Sequence, residues 1–154
     1  MLKIYCVYPI SGMSADDVFE YYERTQVTLT KFGYDVFIPM FGKNSLRTEL
    51  KFKAQDYRSP LSTNHAIYNR DKWMVMQSDV LYANLLNKTD GPGIVSIGSM
   101  FELAWGSYLH KQNVVVMEKE NIHRHAFVLE ASTIIFETEL EALDYLECLA
   151  AKKY

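Results

Sequence analysis

At 154 residues, 49% hydrophobic and 23% charged, the chain has the length of one domain and enough apolar side chains to bury a core, which excludes a disordered chain. A formal net charge of −3 supplies no general field for nucleic acid polymers or anionic membranes, and no apolar run approaches the ~20 residues that span a bilayer. The two cysteines, Cys6 and Cys148, lack metal-ligand spacing and point to a reducing, cytoplasmic compartment with no disulfide framework.

Residues 2–8 open the chain as a buried strand rather than a signal peptide, because Pro9 and Gly12 cut the apolar run short. Val18, Tyr22, Thr25, Leu29 and Phe32 keep helical spacing across residues 15–32, and Gly33 supplies a stop. A second strand covers residues 34–39. Residues 40–61 have no clear period and carry Lys43, Arg47, Lys51, Lys53 and Arg58. They read as a long irregular excursion with room for a short helix, its charges forming a solvated face. Ser62 or Thr63 caps a second helix that runs to about Ser78, and residues 79–85 form a third strand. The stretch from Asn87 to Gly93 is rich in turn residues. A third helix runs from Ser99 to about His110, followed by a strand at 113–117, a short helix at 123–130 and a strand at 133–136. The last helix places Leu140, Leu143, Leu146 and Ala150 on one face. This alternation predicts one α/β domain: a mostly parallel five-stranded sheet with helices on both faces, flavodoxin- or Rossmann-like. Ligands of such sheets bind beyond the carboxyl ends of the strands, where residues 8–12, 84–98 and 118–125 should meet.

Glu102 follows a loop of small residues, Ser96-Ile97-Gly98-Ser99, and falls in the first turn expected of the third helix. The spacing serves a capping box, with Ser99 as the cap and Glu102 reaching back to it. It equally serves a nucleophile that the helix N-terminus keeps ionised, with Gly98 opening the backbone to a ligand. Asp71 lies four residues after Ile67 and three before Met74, on the buried stripe of its helix, where an unpaired charge is costly. A core ion pair, a carboxylate capping a neighbouring loop, and a site at the helix end all satisfy that placement. Tyr8-Pro9-Ile10-Ser11-Gly12 ends the first strand in a turn able to cradle phosphate, although any strand-to-helix turn calls for Gly and Ser. His123 and His125 flank Arg124 without nearby Cys or Asp ligands, so they read as solvated loop residues or an anion contact, and no metal site is expected.

These stretches, in order, resemble the nucleoside 2-deoxyribosyltransferase superfamily, which includes the 2′-deoxynucleoside 5′-monophosphate N-hydrolases. The resemblance rests on Lys3-Ile4-Tyr5, on Pro9 to Gly12, on Asn69-Arg70-Asp71 with Asp79-Val80 and Ala83-Asn84-Leu85 beyond it, and on Ser96 to Gly106. It implies that Glu102 attacks the anomeric carbon to form a glycosyl-enzyme, that Tyr5 hydrogen-bonds this carboxylate, and that Asp71 orients the base and handles its proton. Ser11, Gly12, Asn84, Ser96, Gly98 and His125 are the implied substrate-binding residues, His125 reaching into a neighbouring subunit's site. Three positions depart from the transferases. Tyr8 stands where a small residue is usual, Ser96 stands where an aspartate six residues before the glutamate grips a free 5′-hydroxyl, and His125 replaces an asparagine.

The resemblance therefore implies cleavage of the N-glycosidic bond of a (2′-deoxy)nucleoside or its 5′-monophosphate, by hydrolysis or by transfer to another base. It implies no cofactor, and a homodimer or higher homo-oligomer with shared sites. Ser96 and His125 tilt the expectation toward 5′-monophosphate hydrolysis, since a carboxylate at position 96 would repel a phosphate that a hydroxyl can hold. The alternatives are cleavage of the nicotinamide glycosidic bond of NAD and a non-catalytic nucleotide-binding module of the same fold.

Overall fold

A computed structural model describes residues 1–48, 51–87 and 94–152. Its strands are β1 (Lys3–Val7), β2 (Asp35–Phe37), β3 (Val80–Asn84), β4 (Gln112–Val116) and β5 (Ile134–Phe136). They form one parallel sheet in the order β2-β1-β3-β4-β5. The helices are α1 (Ala15–Phe32), α2 (Asn64–Gln77), α3 (Ile97–Tyr108), α4 (Ala126–Ala131) and α5 (Glu139–Ala151). The direction in which strands are added reverses between β1 and β3, and a sheet wound this way opens a crevice at that switch point.

Strand pleating divides the core in two. Ile4 and Cys6 of β1 join Tyr82, Val114 and Val116 against α1 and α5. Tyr5 and Val7 point the other way, with Leu81, Ala83 and Val115, against α2, α3 and α4. Because successive side chains alternate faces, the residue after Ile4 is delivered to the α2–α3 side. That register brings Tyr5 toward α3. Gly106 lets α3 lie close on the sheet: a Cβ there would collide with the side chains of Asn113 and Leu81. Asn113 in turn donates to the carbonyls of Leu103 and Ala131, at 3.0 and 2.8 Å, tying α3 and α4 to β4.

Several local expectations need correction. The excursion after β2 is irregular as expected, and the short helix it has room for takes the form, among the described residues, of two 3-10 helices, Asn44–Thr48 and Pro60–Ser62. It folds back on the turn after β1, pairing Gly12 N–H with the Phe52 carbonyl (3.0 Å) and Phe52 N–H with that of Met13 (2.8 Å). Ser96, rather than Ser99, caps α3, so the helix begins earlier and Glu102 falls in its second turn. No capping box involving Glu102 forms. Thr138 and Glu141 do form one on α5; Leu140 is 69% exposed, and the buried stripe runs through Ala142 and Leu146 instead. Beyond Asn87, the turn expected up to Gly93 lies outside the described residues.

Candidate active site

Four polar side chains from four segments form two hydrogen-bonded pairs on the α2–α3 side of the sheet. The Tyr5 hydroxyl, fully buried on β1, donates to Glu102 Oε1 at 2.6 Å. Asp71, on the inward stripe of α2, accepts from Lys43 Nζ through both oxygens, at 3.2 and 3.1 Å. Glu102 is 9% exposed and Asp71 8%, so the two carboxylates are held almost dry. Lys43 is 3% exposed, which overturns the reading of its charge as solvated; Arg47, Lys51, Lys53 and Arg58 do face solvent. Of the three placements open to Asp71 from the sequence, a core ion pair, a loop cap and a site at the helix end, the geometry makes it a partner in an ion pair that also faces Glu102.

The electrostatics follow from this crowding. Burial first, and the Asp71 charge second, push the Glu102 carboxyl up to about 8, opposed by the Tyr5 hydrogen bond and the Lys43 charge. Burial and the Asp71 charge thus work against the ionised resting carboxylate expected from a helix N-terminus, and Glu102 lies beyond the first turn, where that field fades. Burial also raises Asp71 and lowers Lys43, each effect opposed by the other's charge. Burial, then the charges of Glu102 and Asp71, push the Tyr5 phenol well above its ordinary value, so it stays a hydrogen-bond donor.

A cavity of about 750 Å³ opens over the switch point, and Ser11, Gly12, Asn84, Ser96 and His123 are among its lining residues. Positive φ at Gly12 (85°) lets the turn after β1 reverse here. Its N–H is already bonded to Phe52, so it does not serve as the anion donor expected of it. Ser96 both lines the cavity and caps α3, its hydroxyl 2.9 Å from that of Ser99. Tyr8 does not plug the space. Its ring stacks on Tyr21 at 3.7 Å and meets Tyr22 edge-on at 6.1 Å, forming an aromatic wall on the α1 side.

Of the two histidines, His123 is buried rather than solvated. Its Nε2 accepts from Ser96 N–H at 3.1 Å, which assigns the proton to Nδ1, 2.9 Å from Asn121 Oδ1. Nothing in the spacing of residues 121–125 signalled this anchor. His125 caps α4, its Nδ1 accepting from Phe127 N–H at 3.2 Å; it is exposed and stands outside the cavity wall, as does Gly98. Lys43 escaped sequence reasoning because a buried Asp71 demands a cation without saying which of five nearby ones supplies it. Among the described residues, no group of three or more His, Cys, Asp or Glu could hold a metal ion, and no helix is long and apolar enough to cross a membrane.

No protein-family model matches the chain, and no curated protein sequence matches it. Solved structures do. A 2-deoxyribosyltransferase from Bacillus psychrosaccharolyticus superposes with a TM-score of 0.60 at 16% identity, covering 94% of this chain and 90% of that one. A 2-deoxyribosyltransferase from Leishmania mexicana gives 0.57 at 16% identity, covering 96% and 97%. The CMP N-glycosidase BcmB of Clostridium botulinum gives 0.55 at 17% identity, covering 96% and 98%. The chain shares the fold of these two 2-deoxyribosyltransferases and of the CMP N-glycosidase.

Proposed function

We propose that this protein cleaves the N-glycosidic bond of a (2′-deoxy)nucleoside or its 5′-monophosphate, with Glu102 as nucleophile. The observation that carries the reading is the 2.6 Å hydrogen bond from Tyr5 to Glu102. It orients one buried carboxylate beside a second, Asp71, on a fold shared with a 2-deoxyribosyltransferase and a CMP N-glycosidase. An oxygen of ionised Glu102 bonds to C1′ as the C1′–N bond breaks. The electron pair leaves with the base, which takes a proton from water relayed at Asp71. Water or a second base then displaces the glutamyl oxygen, so one hard substitution becomes two easier ones.

The cavity, whose lining includes neither Glu102 nor Asp71, is read as the place for the 5′ end of the substrate. Ser11 and Ser96 offer hydroxyls, and Arg24 and Lys51 add positive charge, set against the carboxylates of Asp17 and of Glu139, the latter 3.6 Å from Arg24. Chromatographic screening of nucleosides and 5′-monophosphates, with and without a free acceptor base, tests both parts of the reading. We expect release of free base, with a higher kcat/KM for monophosphates than for the matching nucleosides. Base exchange outrunning hydrolysis on free nucleosides would replace the phosphate reading with deoxyribosyl transfer. Release of no base from any member of the panel would sink the enzymatic reading.

A further inference from the structure

We infer that Lys43 is a positioning residue: its buried ammonium, clamped on Asp71, offsets the field of that carboxylate at Glu102 and keeps Glu102 available as the nucleophile. The inference rests on the reading of Glu102 as nucleophile. Lys43 sits on the turn beyond β2, its N–H bonded to the Met40 carbonyl (3.0 Å) and its own carbonyl accepting from Leu46 N–H (2.8 Å). Gly42 brings that turn against α2. With φ at 72°, Gly42 leaves room that a Cβ would take, 3.2 Å from Arg70 Nη1. Neighbouring residues thus dock as two pairs, Gly42 under Arg70 and Lys43 on Asp71. Lys43 Nζ lies 3.1–3.2 Å from both carboxylate oxygens, within a site that buries a further carboxylate.

A buried ion pair is a poor choice if stability alone is at stake, because apolar residues of similar volume hold a core as well or better. Two buried carboxylates without a cation, by contrast, repel strongly enough to retain a proton between them. The charged and titratable groups facing Glu102 are Tyr5 from β1, Tyr22 from α1, Asp71 from α2 and Lys43 from the turn beyond β2, with Arg70 adding positive charge at the Lys43–Asp71 pair. Lys43 is the cation that bears on both carboxylates. Its charge lowers the proton affinity of Glu102 directly and shields it from Asp71.

The test measures the ionisation of Glu102 itself by carbon-13 NMR of its side-chain carboxyl, assigned with Glu102→Gln, alongside the pH profile of kcat/KM. Lys43→Gln should move the Glu102 titration, and the pH at which activity appears, upward by one unit or more. Lys43→Arg should leave both within half a unit of wild type. If Lys43→Gln does not fold, the comparison passes to Asp71→Asn and the double variant Lys43→Met/Asp71→Asn, whose pair carries no buried charge. Glu102 should then titrate at lower pH in the single variant, which keeps the ammonium. An unmoved titration in these comparisons overturns the role of Lys43, whatever the activity. A shifted titration in a protein that cleaves no nucleoside or nucleotide upholds the electrostatic role and overturns the proposed reaction instead.

Discussion

Glu102 carries the sharpest consequences at the scale of single residues. Its carboxyl is pushed up to about 8 by burial and by Asp71, yet the proposed attack on C1′ requires the ionised form. The kcat/KM profile should therefore rise with pH through about 8 and level off above it. Tyr5→Phe removes the hydrogen bond that favours the ionised form, so its profile should shift to higher pH. A wild-type profile flat from pH 6 to 9 would contradict this assignment. Stability should move the opposite way. The folded protein holds the Glu102 proton more tightly than the unfolded chain, whose glutamate titrates near 4.5. The contribution of Glu102 to stability is thus most favourable below that pH and declines as pH rises toward 8. Glu102→Gln should abolish turnover yet raise the melting temperature at pH 9 relative to wild type, with little gain at pH 4.5. Equal differences at the two pH values would show that the buried charge is not what costs stability.

At the scale of elements, two glycines of α3 should answer the same substitution with opposite signs. In an open helical position, Ala is preferred over Gly by about 1 kcal/mol. Gly98 is such a position, with nothing within 4 Å of an added Cβ, so Gly98→Ala should be neutral or stabilising. Gly106 lies against Asn113 and Leu81, and Gly106→Ala should cost about 1–3 kcal/mol in urea denaturation through overpacking. A stabilised Gly106→Ala would mean that α3 can lift from the sheet without loss. The same helix shows what the sequence could and could not disclose. Apolar runs alternating with helical spacing suffice for the strand and helix order, since a buried parallel sheet needs both, and Asp71 stood out because a carboxylate on an apolar stripe breaks the pattern. The start of α3 is ambiguous in the sequence because Ser96 and Ser99 are both good caps. The choice falls to Ser96 through a hydrogen bond from its N–H to His123, 27 residues away. The role of Lys43 is hidden for the same reason: its partner is 28 residues along the chain, and a contact at that range leaves no mark on local composition.

At the scale of the molecule, the side of the sheet covered by α2, α3 and α4 is unlike an ordinary solvent face. Tyr68, Trp73, Phe101, Tyr108 and Phe127 are all exposed there. Tyr68 and Phe101 lean on Trp105, with ring centroids 5.1 and 5.9 Å apart, so part of this apolar surface is contiguous. Such area left in water favours association. His125 stands at the N-terminus of α4, 5.4 Å from the Phe127 ring and outside the cavity of its own chain. These observations fit a homo-oligomer built on this face, with His125 offered to the site of a second copy. Light scattering at micromolar concentration should return a dimer or larger species, and Phe101→Glu should shift it toward monomer. Function supplies the stricter test. Glu102→Gln would remove the proposed nucleophile from its own site, and His125→Ala the group proposed to be lent to a neighbour. Each variant should be impaired alone. After mixing and subunit exchange, some sites would pair an intact Glu102 with an intact His125, and part of the activity should return, in proportion to the hybrid fraction. A mixture no more active than its components, with exchange confirmed by mass, would confine His125 to capping α4. A monomeric wild type that retains full turnover would remove the shared site altogether.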